Sequence, residues 1–182
     1  MKANANEIAR ALDAANGPVR FFLLYGPDEA GSAALARRLE RAMGQEAERI
    51  DLDGSTLKAD PARLVDEAAS ISLFGGRRWI RIQPAGDEIA SAVASLLDAD
   101  VAGNPVVALA GALKPSSPSV KLALDHKLAL AHPSYVPDAR DAAQIAETLA
   151  REAGLRLPRD LGRTLAISCS NDRSIMAQEI EK

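Results

Sequence analysis

The chain contains one cysteine, Cys169, in 182 residues. A single thiol excludes an internal disulfide. Its two histidines, His126 and His132, have no neighbouring acid and cysteine set, so no ligand cluster for a metal is expected. A reducing compartment, the cytoplasm, is the expected location. Long apolar runs are also missing. None approaches the roughly 18 residues of a membrane span, and Met1 to Ala15 reads as an amphipathic helix without the apolar core of a signal peptide. The chain is therefore expected to be soluble, with no membrane partner. An excess of positive charge is absent too, and a net charge of -3 argues against a protein that grips nucleic acid over its whole surface. Arg37, Arg38 and Arg41 do cluster, but at a spacing typical of the solvated face of a helix. No G-x-S-x-G elbow surrounds Ser116, Ser117, Ser119, Ser168 or Ser170, which leaves a hydrolase triad without a nucleophile.

What is present begins with a strand-like run, Phe21 to Tyr25, that enters Gly26-Pro27-Asp28-Glu29-Ala30-Gly31-Ser32-Ala33. The glycine spacing is that of a phosphate-binding P-loop. An intact loop places a lysine on the β- and γ-phosphates and a hydroxyl on Mg²⁺. Ser32 and Ala33 stand at those two positions and supply neither an ammonium nor a metal-binding hydroxyl in register. Asp28 and Glu29 add negative charge at a helix N-terminus that would otherwise attract an anion. Gly26, Gly31, Ser32 and Ala33 thus read as a degenerate, non-binding P-loop, with no nucleotide or other cofactor expected. On spacing alone, a plain strand-turn-helix connection fits about as well. The apolar strand Val106 to Leu109 continues into Ala110-Gly111 with no Asp or Glu at its end, where an NTPase would keep an acid for the Mg²⁺ shell. This second loss favours degeneracy.

The rest of the pattern alternates helix and strand. A helix from about Ala30 to Met43 carries Leu35, Leu39 and Met43 as its buried stripe, and a short strand follows at Arg49 to Leu52. Asp60-Pro61 supplies an N-cap and first-turn proline for a helix burying Leu64, Val65, Ala68 and Ala69. Gly75-Gly76 breaks the chain before a strand at Arg77 to Ile82, and a helix near Glu88 to Leu97 precedes the strand at Val106. A helix at Ser119 to Leu124 and a last strand within Leu128 to Val136 complete an α/β domain with a parallel sheet and flanking helices over residues 1–136. Residues 137–182 read as three helices. Ala142, Ile145, Ala146, Leu149 and Ala153 form one apolar face, Leu161, Leu165 and Cys169 a second, and Ile175, Met176 and Ile180 a third. The last helix stops in mid-pattern at Lys182, as in a chain cut before a further domain.

Ile71-Ser72-Leu73-Phe74 is the sharpest positive feature. From pattern alone, Leu73 and Phe74 filling the core where helix meets strand is the favoured reading. The alternative is a partner-binding plug, because the adjacent Gly75-Gly76 lets a loop present side chains outward. Cys169 sits on an apolar stripe and reads as a buried, inert thiol.

With these parts assembled, the chain resembles the delta subunit of bacterial DNA polymerase III, the clamp-loader component that opens the sliding clamp. The resemblance rests on Leu23-Leu24-Tyr25-Gly26 entering a broken P-loop and on Ile71-Ser72-Leu73-Phe74-Gly75-Gly76-Arg77-Arg78. It extends through Tyr135 to Asp138 with the three helices that follow, and Met176 to Lys182 matches the segment before the family's third domain. It implies an AAA+ type domain without ATP activity, a three-helix lid, and a collar domain missing from this chain. The family's hydrophobic clamp-binding pair falls by position on Leu73 and Phe74, with Ile71, Ser72 and Gly75 in support. The implied partners are the sliding clamp (the beta subunit), other loader subunits through the collar, and primed DNA only indirectly. The implied role is an accessory, non-catalytic subunit of a DNA-directed DNA polymerase holoenzyme, a nucleotidyltransferase complex, in DNA replication. The delta-prime and ATPase subunits match poorly: they carry a zinc-binding cysteine cluster and a Ser-Arg-Cys motif, where this chain has Ser168-Cys169-Ser170. Two rivals stay open, an NTPase or kinase with an atypical loop and an AAA-type adaptor whose Leu73-Phe74 pair is core.

Overall fold

A computed structural model describes residues 1–15, 17–72 and 75–182. The chain divides into two compact units, Met1–Ser134 and Tyr135–Lys182. In the first, five parallel strands stand in the order β2-β3-β4-β1-β5. They are β1 (Phe21–Tyr25), β2 (Glu48–Leu52), β3 (Arg78–Ala85), β4 (Val106–Ala110) and β5 (Ala129–Pro133). The helices are α1 (Ala5–Asp13), α2 (Glu29–Met43), α3 (Gly54–Ala59), α4 (Ala62–Ala69), α5 (Ala90–Asp98) and α6 (Pro118–Asp125), with a 3₁₀ turn at Asp87–Ile89.

Every residue of β1 and β4 is buried, as expected of central strands covered on both faces. The two-residue period splits them between two cores. Phe21, Leu23, Tyr25, Val106, Ala108 and Ala110 join one cluster with α3 to α6, while Phe22, Leu24, Val107 and Leu109 join the other with α1 and α2. Burying one such leucine fully contributes roughly 1.5 to 3 kcal/mol. The β3–β4 ladder shifts register between Ile82 and Ala85, where Pro84 has no N–H to give it.

Several local expectations change. Met1 to Ala3 are not helical: Ala3 N–H donates to Ala131 O and Ala131 N–H to Met1 O, both at 2.9 Å, so the first residues run along β5. The α1 helix starts at Ala5 behind a capping box, in which Asn4 Oδ1 accepts from the amides of Asn6 and Glu7 and Glu7 Oε2 accepts from Asn4 N–H. On α2 the buried positions are Ser32, Ala36, Leu39 and Met43, and Leu35 is only partly covered. Asp60 does not cap α4. It closes α3, its amide donating to Thr56 O, and Pro61 is the N-cap of α4, which has no side-chain cap. Leu64 and Ala68 are buried there, Val65 partly so, and Ala69 is exposed. The last strand ends at Pro133, and Tyr135 and Val136 are exposed.

The second unit holds α7 (Ala139–Glu152), α8 (Arg159–Ser168) and α9 (Arg173–Ile180). Its core joins small residues, Ala142, Ala146, Ala166 and Cys169, with one large side chain, Met176. Ala150 is buried and Ala153 exposed, whereas on α8 the buried line is Gly162, Ala166 and Cys169, with Leu165 partly covered and Leu161 exposed. Met176 anchors α9 and Ile175 faces solvent. A Cβ on Gly162 would lie 3.3 Å from the Ala143 carbonyl oxygen and Glu147 Cγ, so α7 and α8 approach closely here and an added side chain would press them apart by a few tenths of an ångström.

Candidate functional site

Parallel register puts the ends of β1, β4 and β5 side by side, with Tyr25 opposite both Ala110 and Pro133. Loops leaving this edge are where an open α/β sheet ordinarily binds its ligand. Here the β1–α2 loop is held by the protein's own groups. Gly26 has φ +131 and donates its N–H to Gly111 O at 3.0 Å; a Cβ on it would lie 2.2 Å from Ser134 O. Asp28 N–H donates to that same Ser134 carbonyl at 3.2 Å. The Asp28 carboxylate caps α2, accepting from Gly31 N–H at 2.8 Å, and a Cβ on Gly31 would lie 2.2 Å from Asp28 Oδ2. An internal anion thus sits at the helix N-terminus where a phosphate would otherwise lie.

Ser32, at the position of a P-loop lysine, is buried and donates its hydroxyl to Ser134 Oγ at 2.8 Å. Ala33 is partly buried against the α1–α2 side of the sheet. Ser134 was not legible as a partner, since it lies 102 residues along the chain and carries no motif. No acid follows β4 directly, but acids do leave neighbouring strands, and both sets cap helices. Asp53 after β2 accepts from Thr56 N–H at 2.8 Å and from the hydroxyls of Ser55 and Thr56 at 2.5 and 3.0 Å. These hydrogen bonds, that of Ser55 first, hold its carboxyl at about 2 against an ordinary 3.8. Asp87 after β3 accepts from Ser117 Oγ and from Ser119 N–H at the start of α6.

The second candidate lies before β3, at the opposite edge of the sheet. Leu73 and Phe74 fall outside the described residues. Of their neighbours, Ile71 is 89% exposed, Ser72 is half-buried, and Gly75 is exposed with φ +72, its N–H donating to Ser72 O at 3.1 Å. Asn104 braces the approach, its side-chain amide donating to the carbonyls of Glu67 and Ser70 at 3.0 and 2.8 Å. On the other side Arg78, mostly buried, pairs with Glu48 at 2.9 Å and Glu67 at 3.2 Å. A cleft of about 730 Å³ lies among these groups, bordered by Glu46, Ile71 and Ser72.

The remaining sequence candidates are structural. His126 Nδ1 accepts from Leu128 N–H, and His132 Nδ1 lies 3.0 Å from Ala3 O. Among the described residues no group of three or more His, Cys, Asp or Glu is placed to hold a metal. Cys169 is buried, and that burial, with Glu179 and Asp172 nearby, pushes its thiol pKa up. Arg38 is bound by Asp13 through both carboxylate oxygens. No helix among the described residues is long and apolar enough to cross a membrane.

No family model matches the chain, and no curated protein matches its sequence. Solved structures do. The Bacillus subtilis DNA clamp loader delta protein (YqeN) superposes with a TM-score of 0.65 at 16% identity, over 97% of this chain and 56% of that one. Two variants of Thermotoga maritima RuvB superpose with TM-scores of 0.56 and 0.51 at 16% and 15% identity, each over 97% of this chain and 59% of theirs. The chain therefore spans little more than half the length of these proteins. At such identities the likeness establishes architecture, and its measure is higher for the delta protein than for these RuvB variants. The chain has a clamp-loader delta-like fold.

Proposed function

We propose that this chain is a delta-type clamp-loader subunit that binds a sliding clamp without hydrolysing ATP. The observation that carries the reading is a delta-like fold whose β1–α2 loop is closed by Asp28 and Ser134. Nucleotide binding would have to displace a capping carboxylate and supply the missing cation, so ATP acts on other subunits. Binding falls to the loop before β3, where Leu73 and Phe74 enter an apolar pocket on the clamp. Ile71, Ser72 and Gly75 support them; the exposure of Ile71 and the positive φ of Gly75 suit a segment that projects toward a partner. To open the clamp, the subunit must hold its open interface more tightly than its closed one, because only differential affinity shifts a population. The helices of Tyr135–Lys182 act as a lid, and cytoplasmic DNA replication, as an accessory to the polymerase, is the setting.

Calorimetric titration of a purified bacterial sliding clamp tests this. Leu73→Ala with Phe74→Ala is expected to remove roughly 2 to 4 kcal/mol of binding and to leave the melting temperature unchanged. A variant that unfolds, or that binds the clamp as well as the parent, overturns the assignment and returns the pair to the core.

A further inference from the structure

The second unit contains a cleft of about 640 Å³ between α7 and α8 that the clamp-binding reading does not use. Three guanidinium groups border it, Arg140 on α7 and Arg159 and Arg163 on α8. None forms an ion pair or side-chain hydrogen bond with another described residue, so all three guanidinium groups are open to a ligand. Glu147 and Asp160 share the cleft without reaching within 4 Å of an arginine nitrogen. Arg159 and Arg163 stand four residues apart on one face of α8. The first turn of α8 has Pro158 as its N-cap and no capping side chain, which adds partial positive charge on the same side as Arg159.

We propose that this cleft binds the sugar–phosphate backbone of a nucleic acid. The chemistry favours that partner over two others. A protein partner would look for an apolar or aromatic anchor pocket, and the only apolar side chains here are those of Ala139 and Ala143. A small phosphorylated ligand would need a concave site with buried polar groups to fix it, whereas Arg140, Arg159 and Arg163 are all exposed. Phosphate oxygens along a strand are bound by such surface guanidinium and amide groups, with Gln144 beside them, and need no apolar pocket. The cleft has no aromatic ring to stack on a base, so recognition is independent of sequence. With acidic and basic residues nearly balanced across this unit, binding is local, weak and salt-sensitive.

The test is fluorescence anisotropy of a short labelled DNA duplex, and of its single strand, with the full chain at low and rising salt. Arg159→Gln with Arg163→Gln is expected to weaken binding about tenfold and to lower the salt slope by about one unit per arginine. Glu147→Gln is expected to strengthen it by removing a like charge from the phosphates' path. Arg151→Gln with Arg156→Gln makes the same charge change outside the cleft and is expected to leave binding near the parent value. Absence of binding at low salt, equal weakening by the two arginine pairs, or full retention by Arg159→Gln with Arg163→Gln overturns the proposal. Circular dichroism of each variant separates a lost contact from a lost fold. None of these outcomes depends on whether the chain binds a clamp.

Discussion

The two loops singled out in the sequence lie at opposite edges of one sheet and differ in what their described residues face. In the β1–α2 loop, Gly26, Asp28, Gly31 and Ser32 all face the protein itself and are tied to Gly111, to Ser134 or to one another. In the segment before β3 the flanks are pinned by Asn104 and Arg78, while Ile71 faces solvent. A loop that satisfies its own polar groups contributes stability and has little left to offer a ligand. The opposite holds for an apolar side chain that faces outward, as that of Ile71 does, since it adds little to folding.

The contrast is tested most severely at Gly26. Gly26→Ala sets a Cβ 2.2 Å from a backbone oxygen at a φ that L-residues rarely adopt, so the chain is expected to lose several kcal/mol or fail to fold, read by urea denaturation. Ser32→Ala leaves the buried Ser134 hydroxyl unpaired and is expected to cost about 1 to 3 kcal/mol. Asp28→Ala removes the cap of α2 at a cost of about 0.5 to 2 kcal/mol. Ile71→Ala, at the other edge, is expected to stay within about 0.5 kcal/mol of the parent. Were Ile71→Ala to destabilise the fold as much as Ser32→Ala, the contrast between the two loops would be lost.

Asp53 carries the same contrast into pH. Its carboxyl is depressed from 3.8 to about 2 in the folded chain, so the stabilisation it gives is present above pH 3.8 and is lost as pH falls through about 2. An asparagine in its place would cap α3 through a side chain that does not titrate. The stability difference between the parent and Asp53→Asn is therefore expected to be flat above pH 3.8 and to shift in favour of the variant across the window down to about 2. A difference that stays constant through that window would show that Asp53 titrates normally.

Much of the α/β unit was readable because its strands carry large apolar side chains and its turns carry glycine. The five strands, most of their helices and the parallel sheet follow from runs such as Phe21 to Tyr25 and Val106 to Leu109. Elements built from small or polar residues were harder to see. The α3 helix, Gly-Ser-Thr-Leu-Lys-Ala, opens with weak helix formers and is held by the Asp53 cap and by burial of Leu57, so no periodicity announced it. In α8 the expected stripe of Leu161, Leu165 and Cys169 is displaced, because close approach to α7 selects Gly162 and Ala166 and turns Leu161 outward. A hydrophobic stripe assumes that the larger residue goes inside, and helices packed through glycine and alanine break that assumption. Of the loop chemistry, the missing lysine, hydroxyl and acid were legible locally. The bracing by Ser134 was not, because only the fold brings it to Ser32.

The β1–α2 loop is filled by the protein's own residues, and calorimetric titration of the chain with ATP in the presence of Mg²⁺ tests whether that leaves room for a nucleotide. No saturable heat is expected at millimolar ATP, since Asp28 already occupies the α2 N-terminus and Ser32 is turned into the protein. Saturable binding in the micromolar range that disappears when Mg²⁺ is removed would contradict it and revive the reading of this chain as an NTPase or kinase.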